Sequence, residues 1–209
     1  MSEFKLHCFA LSGNAYKVAL FLTLAQKPWE AVFVDFLNGE TKTQAWRDTV
    51  NEQGEVPVLE HRGQRLSQSA LILDYLAEVT GQFGAQTPEE NQEIWRWMLF
   101  DNHKFTSYYA TLRFMYGIQK SGETDVTRFL RERARAAYQI VDAHLAKTPF
   151  LVGERLTIAD LSLAGYVFMP EDTGLDMHDF PHIQAWKARI QSLPGWQHPY
   201  DLMPGPTSL

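Results

Sequence analysis

The 209-residue chain contains one cysteine, Cys8, which excludes an internal disulfide and a cysteine-rich zinc centre and agrees with a reducing compartment. Long apolar runs are also missing. The longest, such as residues 18–22, are far too short to cross a bilayer, and Met1-Ser2-Glu3-Phe4-Lys5-Leu6 has no extended apolar region. A soluble, cytoplasmic protein without a membrane partner is expected. Positive charge is in deficit: 19 Lys and Arg against 25 Asp and Glu leave a net charge of −6 with no basic run, so the chain would repel a polyanion and nucleic acid is not an expected partner. The seven histidines show no His-Glu-x-x-His or Cys/His spacing, and no metal is expected. Internal repeats and low-complexity tracts are lacking too.

With 45% hydrophobic residues there is ample material for one large core or two small ones. Phe4, Leu6 and Cys8 alternate as in a strand, and Leu11-Ser12-Gly13-Asn14 then leads into a helical stretch with Val18, Leu22 and Ala25 that ends before Pro28. A second strand is predicted over residues 31–36, followed by a polar segment of loop and short helix containing Gly39, Lys42 and Trp46. Residues 56–61 and 65–67 read as a hairpin about Arg62-Gly63, and residues 70–79 as a helix ending near Gly81. The order is βαβαββα.

Residues 80–86 form a linker. Thr87-Pro88-Glu89-Glu90 then carries an N-cap, a first-position proline and a glutamate able to reach back to the cap amide, so a long helix should begin there. Helical patterning covers about 89–117, 125–146, 158–168 and 182–192. In Leu156-Thr157-Ile158-Ala159-Asp160-Leu161, Thr157 and Asp160 form a reciprocal cap and Leu156 and Leu161 a hydrophobic staple, which is a folding role.

Four stretches in this order resemble one family. They are Leu11-Ser12-Gly13-Asn14-Ala15-Tyr16-Lys17-Val18, then Glu55-Val56-Pro57-Val58 with Gln68-Ser69, the Thr157/Asp160 cap, and Pro181-His182-Ile183 followed by Leu193-Pro194-Gly195-Trp196. Together they are similar to the cytosolic glutathione S-transferases, bacterial serine-type members especially. The resemblance implies a thioredoxin-like α+β domain over residues 1–79 and an all-helical domain over 87–209 supplying the electrophile site. It also implies a homodimer, a detoxifying transferase activity and glutathione as co-substrate.

By that resemblance the Ser12 hydroxyl lies beside the glutathione sulfur. A free thiol with a pKa of about 8.5 is only slightly ionised at neutral pH, and lowering it by about two units takes about 2.7 kcal/mol. One hydrogen bond to a charged acceptor supplies about 1.5 to 3 kcal/mol and a helix N-terminus about 0.3 to 1, so no general base is required. Ser12 could equally be a simple helix cap, and the Asn14 amide competes for the sulfur. The resemblance further implies that Pro57 follows a cis peptide, so that the Val56 backbone pairs with the cysteinyl part of glutathione. Gln68 and Ser69 would hold its γ-glutamyl end at a helix N-terminus.

Position 55 departs from the family. Lys or Gln is frequent there, and an inward-pointing Glu55 would oppose the glycyl carboxylate. Lys42 is the candidate countercharge, or a solvated lysine, with Lys17 and Arg47 as further options. In the helical half, Asp101 interrupts an apolar stripe of Ile94, Met98, Phe105, Tyr108 and Leu112. It either makes a buried salt bridge or helix hydrogen bond, or receives the ammonium of glutathione, within one subunit or across a dimer interface. An adjacent face with Trp95, Asn102, Thr106, Tyr109, Arg113 and Tyr116 is either packing or an electrophile pocket, in which Asn102 approaches the sulfur and Tyr109, Arg113 and Tyr116 contact the co-substrate. Cys8, inside a strand, is expected in the core.

The leading expectation is an enzyme that stabilises the glutathione thiolate at Ser12 and directs it onto electrophilic carbon, an activated halide or a peroxide. The alternative is a non-catalytic glutathione-fold binding or scaffold protein. Thiol-disulfide exchange would need a cysteine at position 12.

Overall fold

The computed structural model describes residues 3–207. In β1 (Phe4–Cys8) the three apolar residues are buried and Lys5 and His7 are not, the period of two expected of a strand with one face on a core. β1 pairs in parallel with β2 (Trp29–Phe33) after the crossover helix α1 (Gly13–Leu24), and antiparallel with β3 (Val58–His61). β4 (Gln64–Ser67) completes the order β2-β1-β3-β4. Arg62 and Gly63 both have positive φ, the geometry of a two-residue turn whose twist suits a hairpin. α3 (Ser69–Thr80) packs on α1 and ends on left-handed Gly81. The short α2 (Gln44–Thr49) brings Trp46 onto Val34 and Val58.

β2 begins two residues earlier than its apolar run suggests. Its parallel register opens with Phe4 opposite Trp29, directly after Pro28; Val34 N–H still donates to the Cys8 carbonyl at 3.0 Å, and the chain then turns, with Phe36 N–H donating to the Val34 carbonyl at 2.8 Å.

The chain divides into two units, residues 3–82 with 194–207, and Phe83–Leu193. The tail expected in the helical half therefore packs with the first unit. Ala10 N–H donates to the Pro204 carbonyl and Tyr16 Oη to the Gln197 carbonyl, both at 2.8 Å, and α9 (Pro199–Leu202) lies on α1.

In the helical unit, α4 (Pro88–Phe100) starts at Thr87, whose hydroxyl accepts from Glu90 N–H at 3.1 Å. Glu90 reaches one residue beyond the cap amide: it accepts from Gln86 N–H and pairs with Arg155 at 2.6 Å. The helix continues to residue 118 through a π-wound turn (Asp101–Phe105), α5 (Thr106–Leu112) and a second π-wound turn (Arg113–Ile118). α6 (Asp125–Leu145) packs on α5 and on α8 (Pro181–Gln191), while α7 (Ile158–Val167) packs on α4 and α5. Tyr138 is stacked between Phe105 and Tyr109 at the centre, with ring centroids 4.3 and 5.1 Å away.

Asp160 ties this unit together. One carboxylate oxygen accepts from Thr157 N–H at 2.9 Å and Thr157 Oγ1 at 3.1 Å, and the other from Leu151 N–H and Trp186 Nε1, both at 2.9 Å. The cap of α7 thus also anchors the preceding loop and α8. Among the described residues no helix is long and apolar enough to cross a membrane.

Candidate functional site

Strand register assembles the first unit's candidate residues. Continuing the β1–β3 pairing past His7↔Val58 sets Phe9 opposite Val56, and continuing β3–β4 past Val58↔Ser67 sets Ser69 opposite Val56. The start of α1, the Val56-Pro57 step and the start of α3 therefore share one end of the sheet. The Val56-Pro57 peptide is cis, and Val56 lies outside the ladder that begins at Val58.

Ser12 is the N-cap of α1. Its backbone is extended, its N–H donates to the Phe9 carbonyl at 3.0 Å, and its Oγ accepts from Ala15 N–H at 3.1 Å. That bond uses a lone pair and leaves the hydroxyl proton, which no acceptor among the described residues takes. α1 carries no acidic residue in its first turn, so the positive end of its dipole is not locally neutralised. Asn14, half-buried, lies in the first turn of the same helix. Tyr16 is not available to a sulfur, since its hydroxyl is committed to Gln197 and burial pushes its pKa up. Burial likewise drives the Cys8 thiol up to about 12, which removes it as a thiolate nucleophile at neutral pH.

Ser69 opens α3 and is buried; Gln68, just before it, has a positive φ of 71°. The Gln68 amide nitrogen donates to Glu55 Oε2 and to Gln53 Oε1, both at 2.9 Å. Glu55 thus lies beside the γ-glutamyl candidates, an arrangement to which sequence spacing gave no clue. Lys42 is exposed at the end of a 3₁₀ turn (Glu40–Lys42). That turn abuts the approach to Val56: a Cβ on Gly54 would come within 2.8 Å of the Thr41 carbonyl. Lys17 is buried, and Arg47 donates to the Glu52 carbonyl at 2.7 Å. At the opposite, hairpin end of the sheet a cleft of about 480 Å³ is lined by charges that pair with one another, Glu3 with Arg62 and Glu60 with Arg65.

In the helical unit the expected ligand face is turned inward. Asp101 is fully buried, with one oxygen accepting from Thr106 Oγ1 at 2.5 Å and the other from Ser162 Oγ at 2.6 Å. Its carboxylate serves the internal bond; the ammonium-binding alternative does not fit this burial. Tyr109 is buried against Tyr138, and burial raises its pKa. Arg113 is buried too, its Nε donating to Glu171 Oε2 at 2.6 Å. The loop bearing Glu171 comes so near that a Cβ on Gly117 would lie 2.7 Å from the Asp172 carbonyl. Neither Tyr109 nor Arg113 is therefore a surface for a co-substrate. Asn102 remains exposed, and half-buried Tyr116 lies 4.8 Å from the Arg131 guanidinium, ring face to cation.

The cause is helix winding. Each π turn inserts about one residue relative to an α-helix, and the buried set after Ile94, Met98 and Asp101 widens to take in Thr106, Tyr109 and Arg113 beside Phe105 and Leu112. Polar pairs five apart mark the first insertion, Asp101 with Thr106 and the Asn102 carbonyl with Ser107 Oγ.

Known proteins share this architecture. The glutathione S-transferase N-terminal domain family matches residues 4–78, and the corresponding C-terminal domain family matches residues 107–194. Glutathione S-transferase F14 of Arabidopsis thaliana is 30% identical over 209 positions, covering 93% of this chain and 82% of that protein. A crystal structure of a possible glutathione S-transferase from Rhodopseudomonas palustris aligns with a TM-score of 0.88 at 34% identity, over 95% of this chain and 98% of that one. A glutathione transferase homologue from Drosophila mojavensis with bound glutathione aligns with a TM-score of 0.81 at 25% identity, over 93% and 90% of the two chains. The chain belongs to the cytosolic glutathione S-transferase superfamily, with a thioredoxin-like N-terminal unit and a helical C-terminal one. Its enzyme class is that of a glutathione transferase.

Proposed function

We propose that the chain binds reduced glutathione along the Val56 edge, keeps its sulfur anionic with the Ser12 hydroxyl, and adds that thiolate to small electrophiles. The observation that carries this reading is the Ser12 geometry. The oxygen is fixed by Ala15 N–H at 3.1 Å, and its proton remains to be donated at the N-terminus of α1. The Val56 N–H and C=O pair with the cysteinyl residue as one more strand, Ser69 and the start of α3 take the γ-glutamyl carboxylate, and Lys42 faces the glycyl carboxylate. Asn14 is the second donor within reach of the same helix start.

On an aryl or alkyl halide the thiolate electron pair forms the new carbon–sulfur bond and the halide leaves with its bonding pair. On a hydroperoxide the same thiolate attacks the terminal oxygen, the O–O bond breaks and the alcohol leaves, giving glutathione sulfenic acid; a second glutathione thiol then displaces its hydroxyl as water and forms the disulfide. Cytoplasmic detoxification and a homodimer belong to this proposal.

The test is titration calorimetry with millimolar reduced glutathione, followed by turnover of an activated aryl chloride. Heat of binding together with conjugate formation is expected. Absence of any heat refutes the proposal, and binding without turnover of any electrophile would reassign the chain as a glutathione-binding scaffold.

A further inference from the structure

We infer that Glu55 is a specificity-determining residue whose carboxylate receives the α-ammonium of the γ-glutamyl end while Ser69 receives the α-carboxylate beside it. This rests on the glutathione reading of the site. An ammonium and a carboxylate on one α-carbon need an acceptor cluster and a donor cluster on neighbouring positions. The chain provides that juxtaposition at residues 68 and 69.

The donor half is the start of α3, where buried Ser69 begins a 12-residue helix with no acidic residue in its first turn. The acceptor half is built by Gln68. Both its bonds, to Glu55 Oε2 and Gln53 Oε1, come from the amide nitrogen at 2.9 Å and so use its two protons. With both amide protons spent, Gln68 presents only its carbonyl oxygen, next to the anionic Glu55. Among the described residues no Lys or Arg forms an ion pair with Glu55, so its charge is not already neutralised. The other carboxylate considered for the ammonium, Asp101, is fully buried with Thr106 and Ser162 on its oxygens. Glu55 also ceases to conflict with the glycyl carboxylate, because its hydrogen bond to Gln68 directs it to the other end of the tripeptide.

Glu55→Gln tests this with little disturbance, since the new side-chain oxygen can still accept from Gln68 while the charge is removed. Binding and kinetics are measured for wild type and variant with glutathione and with glutaryl-cysteinylglycine, which carries hydrogen in place of the ammonium. Expected for the variant is a rise of about tenfold in Kd and KM for glutathione at nearly constant kcat, the scale of one charge-assisted hydrogen bond. The analogue should bind both proteins equally, so the preference of the wild type for the ammonium collapses. Equal weakening of both ligands, no change, or tighter glutathione binding in the variant would each overturn the assignment; the last would return Glu55 to the glycyl end. If wild type binds neither ligand, the glutathione reading itself fails.

Discussion

Replacing Ser12 with alanine removes one oxygen that has two tasks. The visible task is capping: Ala15 N–H, at 3.1 Å, loses its acceptor, a change worth about 0.5 to 2 kcal/mol of stability. The proposed task is donation to the bound sulfur. Losing one hydrogen bond to an anion costs the thiolate about 1.5 to 3 kcal/mol, which raises the pKa of bound glutathione by roughly one to two. Near neutral pH its thiolate fraction, and the conjugation rate at saturating glutathione, should fall about three- to 25-fold. The assay is an ultraviolet titration of thiolate absorbance in the binary complex, with a denaturant melt alongside to record the capping loss separately. Ser12→Thr keeps both the hydroxyl and the cap and should titrate near wild type. An Ser12→Ala complex with an unshifted titration would refute the reasoning, and a shift found only in Asn14→Ala would transfer the role to that amide.

Three further outcomes follow from the geometry. Asp160→Ala strands the Leu151, Thr157 and Trp186 donors in the core and should cost about 3 kcal/mol or more, read as a lowered urea midpoint; a loss under about 1 kcal/mol would contradict the hub role. Arg113→Met alone removes the cation that Glu171 faces and should cost about 3 to 5 kcal/mol, whereas adding Glu171→Leu should recover most of it, because apolar contact replaces the ion pair. Full activity towards electrophiles in that double variant would agree with a packing role, and a selective loss of one substrate would not. His7, and after it Arg65, hold the Glu60 carboxyl below the usual range. A depressed folded value contributes stability that is complete above about pH 4.5 and lost as pH falls through the folded value, so Glu60→Gln should flatten the acid limb of the stability profile. An unchanged slope would show that the contact is energetically silent.

The order of elements was legible because local signals agreed with the fold: alternation in β1, the Arg62-Gly63 turn, and the caps at Thr87 and Thr157. β2 was displaced because its register is fixed by pairing with β1 from Trp29 onward, and Phe33 and Phe36 of its apolar run are exposed, so apolar character there did not mark the strand's bounds. The helical half resisted for a different reason. A face drawn at 3.6 residues per turn holds only while the winding is α, and the turn at Asp101–Phe105 carries Tyr109 and Arg113 out of the face assigned to a ligand. Glu55 looked like a conflict because its partner, Gln68, lies 13 positions away across a hairpin, a distance that spacing alone does not span.

The clasp of residues 194–207 on α1 makes the thioredoxin-like unit discontinuous in sequence. A nascent chain cannot complete it until the helical unit has been synthesised, because the Gln197 and Pro204 carbonyls that receive Tyr16 and Ala10 follow that unit in sequence. The segment carrying Ser12 therefore gains these neighbours only after Phe83–Leu193 has been made.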